Sequence, residues 1–162
     1  MSIPLTPEDL ALYLKQHNIE GEVILLDVPT PTVEAAAEAV GVHPDQIVKS
    51  LLFLVEDKPV LVIANGTARI DRRLLCKHFG VSRRKTIFAD PETVIELTGY
   101  PVGAVPPIGH RTPLLALVEP DILKQELVYG GGGSGSALMR LRPADILANV
   151  QAEVVSLQEE RD

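Results

Sequence analysis

The chain has 162 residues, of which 46% are hydrophobic, 23% charged and 4% aromatic, and its formal net charge at pH 7 is −7. A chain of this length and apolar content can bury its own core, which excludes an intrinsically disordered protein. The acidic excess argues against a general polyanion binder, and the single cysteine excludes a disulfide framework or a multi-cysteine metal site.

The ends and the apolar runs of the chain bear on its location. The first residues lack the basic and apolar regions of a secretory signal, and no apolar run approaches the roughly 18 residues of a membrane span. No internal repeat or change of composition indicates a second domain. We therefore expect one domain over residues 1–162, located in the cytoplasm and without membrane association.

The first half of the chain predicts two helices and three strands. The helices are expected at residues 7–17 and 33–40, and the strands at 22–28, 47–55 and 60–64. Thr6 and Thr32 stand where a capping hydroxyl is favoured, and Gly41 where a helix ends. The last two strands are rich in leucine and β-branched residues, which predicts a central hairpin with two apolar faces.

The second half mixes helices, loops and strands irregularly. Asp71 and the Asp90-Pro91 pair each begin a helix, and the second of these helices ends at Gly99. The remaining predicted elements are a Gly/Pro-rich loop at 102–111, a strand at 114–118, a helical turn at 121–127, a glycine loop at 130–135, a strand at 137–141, a helix from 143 and a weak strand from 151. The short connections between strands favour an α+β domain around a curved, mixed sheet over a doubly wound parallel fold.

Basic residues are concentrated in one stretch. Seven of the 15 lie within the 17 positions from 69 to 85, namely Arg69, Arg72, Arg73, Lys77, Arg83, Arg84 and Lys85. Asp71 is the one acidic residue among them, so this stretch carries +6 and the rest of the chain −13. A local basic surface on an acidic protein fits docking to phosphates, and it also fits an ordinary solvated helix face.

The usual catalytic motifs are missing from the sequence. The four histidines are scattered without an HExxH motif, so we expect no zinc, and no G-x-S-x-G elbow is present. Lys49 is the most informative single residue, because it interrupts an apolar strand at residues 47–53. A lysine there is costly to bury unless it pairs with an anion or reaches a cleft, although it could also extend its amine to water from the strand end.

Two loops could present backbone amides to a ligand. In residues 103–110 glycines permit unusual dihedral angles while consecutive prolines restrict the chain, which favours a rigid loop with outward N–H groups. Residues 130–136 read GGGGSGS and lack the ending of a phosphate-binding P-loop. The alternatives are an ordinary surface turn for residues 103–110 and a flexible hairpin loop for residues 130–136.

Taken in order, these pieces resemble the YbaK/prolyl-tRNA-synthetase-associated domain family of aminoacyl-tRNA editing deacylases. The similar segments are TVEAA at 32–36, GV at 41–42, QIVKSL at 46–51, ID at 70–71, ADPE at 89–92, LTGY at 97–100, the glycine–proline loop at 103–109 and LRPAD at 141–145. The resemblance implies a curved, mixed and largely antiparallel, barrel-like sheet with flanking helices. The resemblance implies a reaction without a cofactor.

The resemblance also implies a function and a set of site residues. A freestanding trans-editing hydrolase would cleave the ester of mischarged aminoacyl-tRNA, with Lys49 orienting the phosphate of the terminal nucleotide and Gly103 helping to stabilise the oxyanion. The residues expected at the substrate are Thr32, Ala104, Pro107, Gly109, His110, Gly131, Gly132 and Asp145. The basic stretch would dock the acceptor stem through phosphate contacts.

The expected substrate is a small amino acid such as Ala, Cys or Ser on tRNA(Pro), and a prolyl-tRNA synthetase is a candidate partner. Ala104 and Pro106 depart from the residues common in the family loop, which would reshape the amino-acid pocket. A non-catalytic module that binds a nucleotide or a tRNA end on the same scaffold is the alternative. The oligomeric state is open.

Overall fold

The computed structural model describes residues 3–159, which form five α-helices and eight strands. The helices are α1 (Pro7–Gln16), α2 (Val33–Val40), α3 (Arg72–Phe79), α4 (Pro91–Thr98) and α5 (Pro143–Asn149). The strands are β1 (Glu22–Leu25), β2 (Val48–Val55), β3 (Lys58–Asn65), β4 (Thr86–Phe88), β5 (Leu115–Val118), β6 (Val128–Gly131), β7 (Ala137–Leu141) and β8 (Gln151–Val154). Short 3₁₀ turns occupy Pro44–Gln46, Arg83–Lys85 and Pro120–Lys124.

The strands form two sheets that meet at one point. The first has the order β1-β7-β6 and the second β4-β2-β3-β5-β8. Only the pairs β3–β5 and β5–β8 are parallel, and the other four pairs are antiparallel. An isolated parallel bridge between Ile47 and Tyr129 joins the sheets. The predicted α+β class with a mixed, largely antiparallel sheet is therefore confirmed.

The hairpin of β2 and β3 is the centre of the core. Its strands pair over eight residues, from Val48 opposite Asn65 to Val55 opposite Lys58. Leu61 and Ile63 pack into the larger apolar cluster on one face, while Phe53 and Val62 pack with Leu75 of α3 on the other. Burying each such side chain contributes about 2 kcal/mol. The prediction of two apolar faces is confirmed.

Polar side chains cap the helices as their sequence positions predict. Thr32 accepts a hydrogen bond from the amide of Ala35 at 3.0 Å, and Asp71 accepts one from the amide of Arg73 at 2.9 Å. Gly41 ends α2 in the left-handed conformation, at φ 71°. These contacts fix the start of the basic helix α3 and the N-terminus of α2, and the latter borders the site described below.

The glycine-rich segment differs from the prediction of a loop over residues 130–135. Gly130 and Gly131 belong to β6 and pair with Met139 and Leu138 of β7. A Cβ on Gly131 would lie 2.4 Å from the carbonyl oxygen of Val105. Glycine is therefore required because another backbone segment packs against the strand, a distance that composition does not reveal.

A buried polar cluster ties the C-terminal segment to the larger sheet. Glu119 is only 1% exposed, and its two carboxylate oxygens accept hydrogen bonds from the amide of Leu157 at 2.6 Å and the side chain of Gln158 at 3.1 Å. The same Gln158 amide donates to Asp121 at 2.8 Å. Burial raises the pKa of Glu119, while these hydrogen bonds oppose that shift in part. Within residues 3–159 no helix has the length and apolar character needed to cross a membrane.

Candidate active site

A cavity of about 340 Å³ is lined by residues of both sheets. Its walls come from parts of four segments, within residues 30–36, 47–52, 102–105 and 130–138, together with Phe88, Ala89 and Val94. β4 pairs only with Phe53–Val55 of β2. The earlier residues of β2 are not paired with β4, and several of them border the cavity. Most of the lining is apolar, so the few polar groups stand out.

Lys49 lies on β2 at this cavity and is half-buried. Its Nζ donates a hydrogen bond to the carbonyl oxygen of Ala68 at 2.8 Å, which uses one of the three N–H donors of an ammonium group. Burial lowers its pKa, and the nearby positive charge of Arg69 lowers that pKa further. Neither Lys49 nor Arg69 forms an ion pair with any residue from 3 to 159. Two cations without an acidic partner favour the binding of an anion.

The loop after α4 leaves two backbone donors at the cavity. Ala104 donates its amide to the carbonyl of Pro101 at 3.0 Å, and its own carbonyl accepts from the amide of Gly133 at 3.0 Å. The amides of Gly103 and Val105 have no hydrogen-bond partner in the described part of the chain, and both residues line the cavity. Two N–H donors without partners in the protein can together stabilise a carbonyl oxygen that becomes negative.

Ser50 is a site residue that sequence reasoning missed. Its hydroxyl is buried at the cavity and has no hydrogen-bond partner within residues 3–159. Leaving such a group unpaired costs about 1–3 kcal/mol, which a bound polar group would recover. Serine is common in strands, and its only signal was a second polar residue beside Lys49 in an apolar run.

The structure brings four of the predicted site residues to the cavity. They are Thr32, Lys49, Gly103 and Gly131. The hydroxyl of Thr32 already caps α2. Gly103 has a φ of 86°, a conformation that favours glycine, and it is exposed at the mouth.

The other predicted substrate contacts lie outside the cavity lining. Ala104 and Gly132 are buried and use their amides within the protein, the latter donating to Ala137 at 3.0 Å. Pro107 packs against Gly130, where a Cβ would lie 2.8 Å from the proline ring. Asp145 forms an ion pair with Arg142 at 3.3 Å at the start of α5.

His110 and Gly109 line a different cavity, of about 510 Å³, on the side of Tyr13. The Nε2 atom of His110 lies 2.7 Å from the carbonyl oxygen of Pro106. Burial lowers the pKa of His110, and this hydrogen bond opposes the shift in part. A neutral ring that donates to Pro106 holds the loop in place, which is a positioning role for this residue.

All seven basic residues of the 69–85 stretch are exposed. Arg69 precedes α3, and the other six lie on α3 and in the turn that follows it. Arg72, Arg73 and Arg83 border one shallow depression. Arg72 also donates to the carbonyl of Thr86, and its Cζ lies 5.8 Å from the ring centroid of Phe88, a residue at the cavity. The contact between Arg72 and Phe88 therefore links the basic surface to a residue of the cavity lining.

Comparison with known proteins finds relatives of this chain in fold and in sequence. A crystal structure of a proposed trans-editing enzyme for prolyl tRNA synthetase superposes with a TM-score of 0.88 at 36% identity, covering 98% of this chain and 100% of that one. The uncharacterized protein YwhH of Bacillus subtilis is 31% identical over 135 residues, which are 83% of this chain and 84% of YwhH.

Proline–tRNA ligases carry a similar segment. The ligase of Thermotoga neapolitana is 37% identical over 100 residues, or 60% of this chain, and the match spans only 17% of that ligase. Residues 27–148 match the aminoacyl-tRNA editing domain family over most of the chain. The chain therefore belongs to the aminoacyl-tRNA editing domain family, as its sequence resemblance predicted.

Proposed function

We propose that the protein is a freestanding trans-editing deacylase that hydrolyses the ester between a small amino acid and the terminal ribose of a mischarged tRNA, with tRNA(Pro) as the expected carrier. The observation that carries this proposal is Lys49, a half-buried cation without an acidic partner in residues 3–159, at a cavity that also holds two unpaired backbone amides. Family membership supports the reaction class.

Lys49 binds the phosphate of the terminal nucleotide in this mechanism. Its Nζ has N–H donors to spare beyond the bond to Ala68, and Arg69 adds positive charge beside it. Binding the phosphate also offsets the cost of keeping the ammonium charged in a partly apolar site. The lysine thereby fixes the position of the acylated ribose relative to the loop.

The amides of Gly103 and Val105 bind the ester carbonyl. Attack by water converts that oxygen to an oxyanion, which both N–H groups stabilise, and one such donor contributes about 3 kcal/mol in well-studied enzymes. The free ribose hydroxyl next to the ester can orient the water. When the bond between the acyl carbon and the esterified ribose oxygen breaks, that oxygen leaves and takes up the proton. An activated ester therefore needs no side-chain nucleophile.

The size and lining of the cavity favour small amino acids. Its volume of about 340 Å³ must hold the acyl group and part of the ribose between apolar walls. Such a pocket excludes bulky side chains, while the unpaired hydroxyl of Ser50 offers one hydrogen bond. We therefore propose Ala, Ser and Cys as the amino acids to test first.

A deacylation panel tests the proposal. The protein and its Lys49→Ala variant are incubated with Ala-, Cys-, Ser- and Pro-charged tRNA(Pro), and Lys58→Ala is the control because Lys58 is an exposed strand lysine away from the cavity. We expect release from one or two small-residue substrates, a loss of about 100-fold or more in Lys49→Ala, and no change in Lys58→Ala. Absence of release from every substrate by the folded protein would contradict the proposal.

The alternative is a binding module without turnover on the same scaffold. It predicts that the wild-type protein binds charged tRNA in a way that depends on Lys49 but leaves the ester intact. Binding measured by filter retention beside the deacylation panel separates the two functions.

A further inference from the structure

We propose that Phe88 and Val102 form a stacking site for an unpaired nucleobase at the mouth of the cavity, next to the acylated ribose. The inference rests on the proposed function and adds a binding subsite to it. Both residues line the cavity, one from the end of β4 and the other from the loop after α4.

The exposure of these side chains is the first observation. Phe88 is 55% exposed and Val102 is 61% exposed, although both border the cavity. Large apolar side chains grouped at a cavity mouth mark a surface that a ligand covers.

The Phe88 ring is held as a rigid platform. It stacks on Phe53 with ring centroids 4.4 Å apart and an interplanar angle of 28°. Phe53 is fully buried and is the cross-strand neighbour of Phe88 in β2. A buried ring therefore supports the exposed one, so a base can stack with little loss of side-chain entropy.

The charges around the ring identify the occupant. Arg72 places its guanidinium over the Phe88 ring, with Cζ 5.8 Å from the ring centroid, and Lys49 lies at the same cavity as Phe88. An aromatic surface bordered by cations is the combination that binds single-stranded nucleic acid, with the base on the ring and the phosphates at the cations. An apolar protein segment would gain nothing from the basic residues, which favours a nucleobase as the occupant.

Stacking of this kind tolerates any base, because every base has a π-face. The subsite therefore adds affinity for an unpaired 3′ end without selecting its sequence. We expect loss of the Phe88 ring to weaken binding about tenfold or more.

A fluorescent base analogue provides the test. A minihelix with 2-aminopurine as its terminal base, carrying alanine through a non-hydrolysable amide, is titrated into wild type, Phe88→Ala, Phe88→Leu and Phe88→Trp. Phe88→Leu keeps apolar area without a ring. Ile87→Ala is the matched control, because Ile87 is 49% exposed on the opposite face of β4 and does not line the cavity.

Wild type and Phe88→Trp are expected to quench the fluorescence and bind with similar Kd, as is Ile87→Ala. The Ala and Leu variants are expected to lose the quenching and to raise Kd about tenfold or more. Unchanged quenching and Kd in Phe88→Ala would overturn the subsite.

A minihelix with an abasic terminal nucleotide completes the design. The effect of Phe88→Ala must disappear on it, and a full effect there would overturn the assignment of a base as occupant. Deacylation of Ala-charged tRNA(Pro) is measured in parallel, so the two proposals fail separately. Hydrolysis without a Phe88 effect removes only the subsite, whereas quenching without hydrolysis supports the subsite and removes the deacylase.

Discussion

The cavity and the cluster around Glu119 both bring polar groups into the protein interior, and they use them differently. At Glu119 both carboxylate oxygens have hydrogen-bond donors from the C-terminal segment. At the cavity Ser50 and two backbone amides have no partner within residues 3–159, and Lys49 uses one donor of three. Polar groups that satisfy one another stabilise the fold, whereas the groups with spare donors at the cavity are the ones that we propose to bind a ligand.

Lys49 is expected to contribute much more to deacylation than to the stability of the fold. Lys49→Met keeps the apolar stem and removes a cation whose pKa burial already lowers. We expect deacylation to fall about 100-fold or more while the free energy of unfolding changes by less than about 1 kcal/mol. Urea denaturation and deacylation rates measure the two quantities, and a large destabilisation by Lys49→Met would mean that the lysine holds the fold.

The reverse pattern is expected at Glu119. Glu119→Ala leaves the Leu157 amide and the Gln158 side chain without their acceptor, which should cost about 3 kcal/mol of unfolding free energy. Because the cluster lies outside the cavity, deacylation by the folded fraction should be unchanged. Glu126→Ala, at an exposed position, is the control and should change stability by less than about 0.5 kcal/mol. Loss of deacylation by folded Glu119→Ala would contradict a purely structural role for the Glu119 cluster.

Gly103 and Gly131 both line the cavity, but an added side chain would meet different surroundings at each. An added Cβ at Gly103 has no atom within 4 Å, so Gly103→Ala should cost only the strain of its positive φ, about 1 kcal/mol. At Gly131 the Cβ would lie 2.4 Å from the Val105 oxygen, so Gly131→Ala should destabilise the protein more and displace the loop. Thermal unfolding ranks the two variants, and the opposite order would show that the loop does not pack on β6 as described.

The smallest effect is a pH dependence at His110. Burial lowers the pKa of this ring below its usual 6.5, so the folded protein favours the neutral form. This preference contributes fully to the free energy of unfolding above pH 6.5. The contribution is lost as the pH falls below 6.5 toward the lower pKa of His110 in the folded protein. Wild type should therefore lose more unfolding free energy between pH 7.5 and 5.5 than His110→Asn. Equal losses in urea denaturation at the two pH values would contradict this position for the ring.

The sequence predicted the features that depend on local pattern. Lys49 was recognisable because a charge interrupted an apolar strand, and Thr32 because a hydroxyl preceded an alanine-rich helix. Ser50 was missed because the absence of a hydrogen-bond partner is a property of the packed structure. The extension of β6 through Gly131 was missed because it depends on contact with a loop 26 positions earlier, at Val105.

Local pattern also could not place the predicted contacts that lie elsewhere. The ion pair of Asp145 with Arg142 and the hydrogen bond from His110 to Pro106 are short-range contacts that only three-dimensional placement assigns. Family resemblance gave the order of the segments, and packing decided which residues in each segment reach the cavity.

Chemical-shift mapping can show which residues bind a mimic of the charged tRNA end. The ¹⁵N-labelled protein is titrated with adenosine carrying alanine through a 3′-amide, which mimics the charged end and cannot be hydrolysed. We expect shifts of the Gly103, Val105 and Ser50 amides and unchanged Leu157 and Gln158 amides. We also expect Lys49→Ala to bind the 5′-phosphorylated ligand at least tenfold more weakly. Shifts centred on Leu157 and Gln158, with Gly103 and Val105 unmoved, would contradict it.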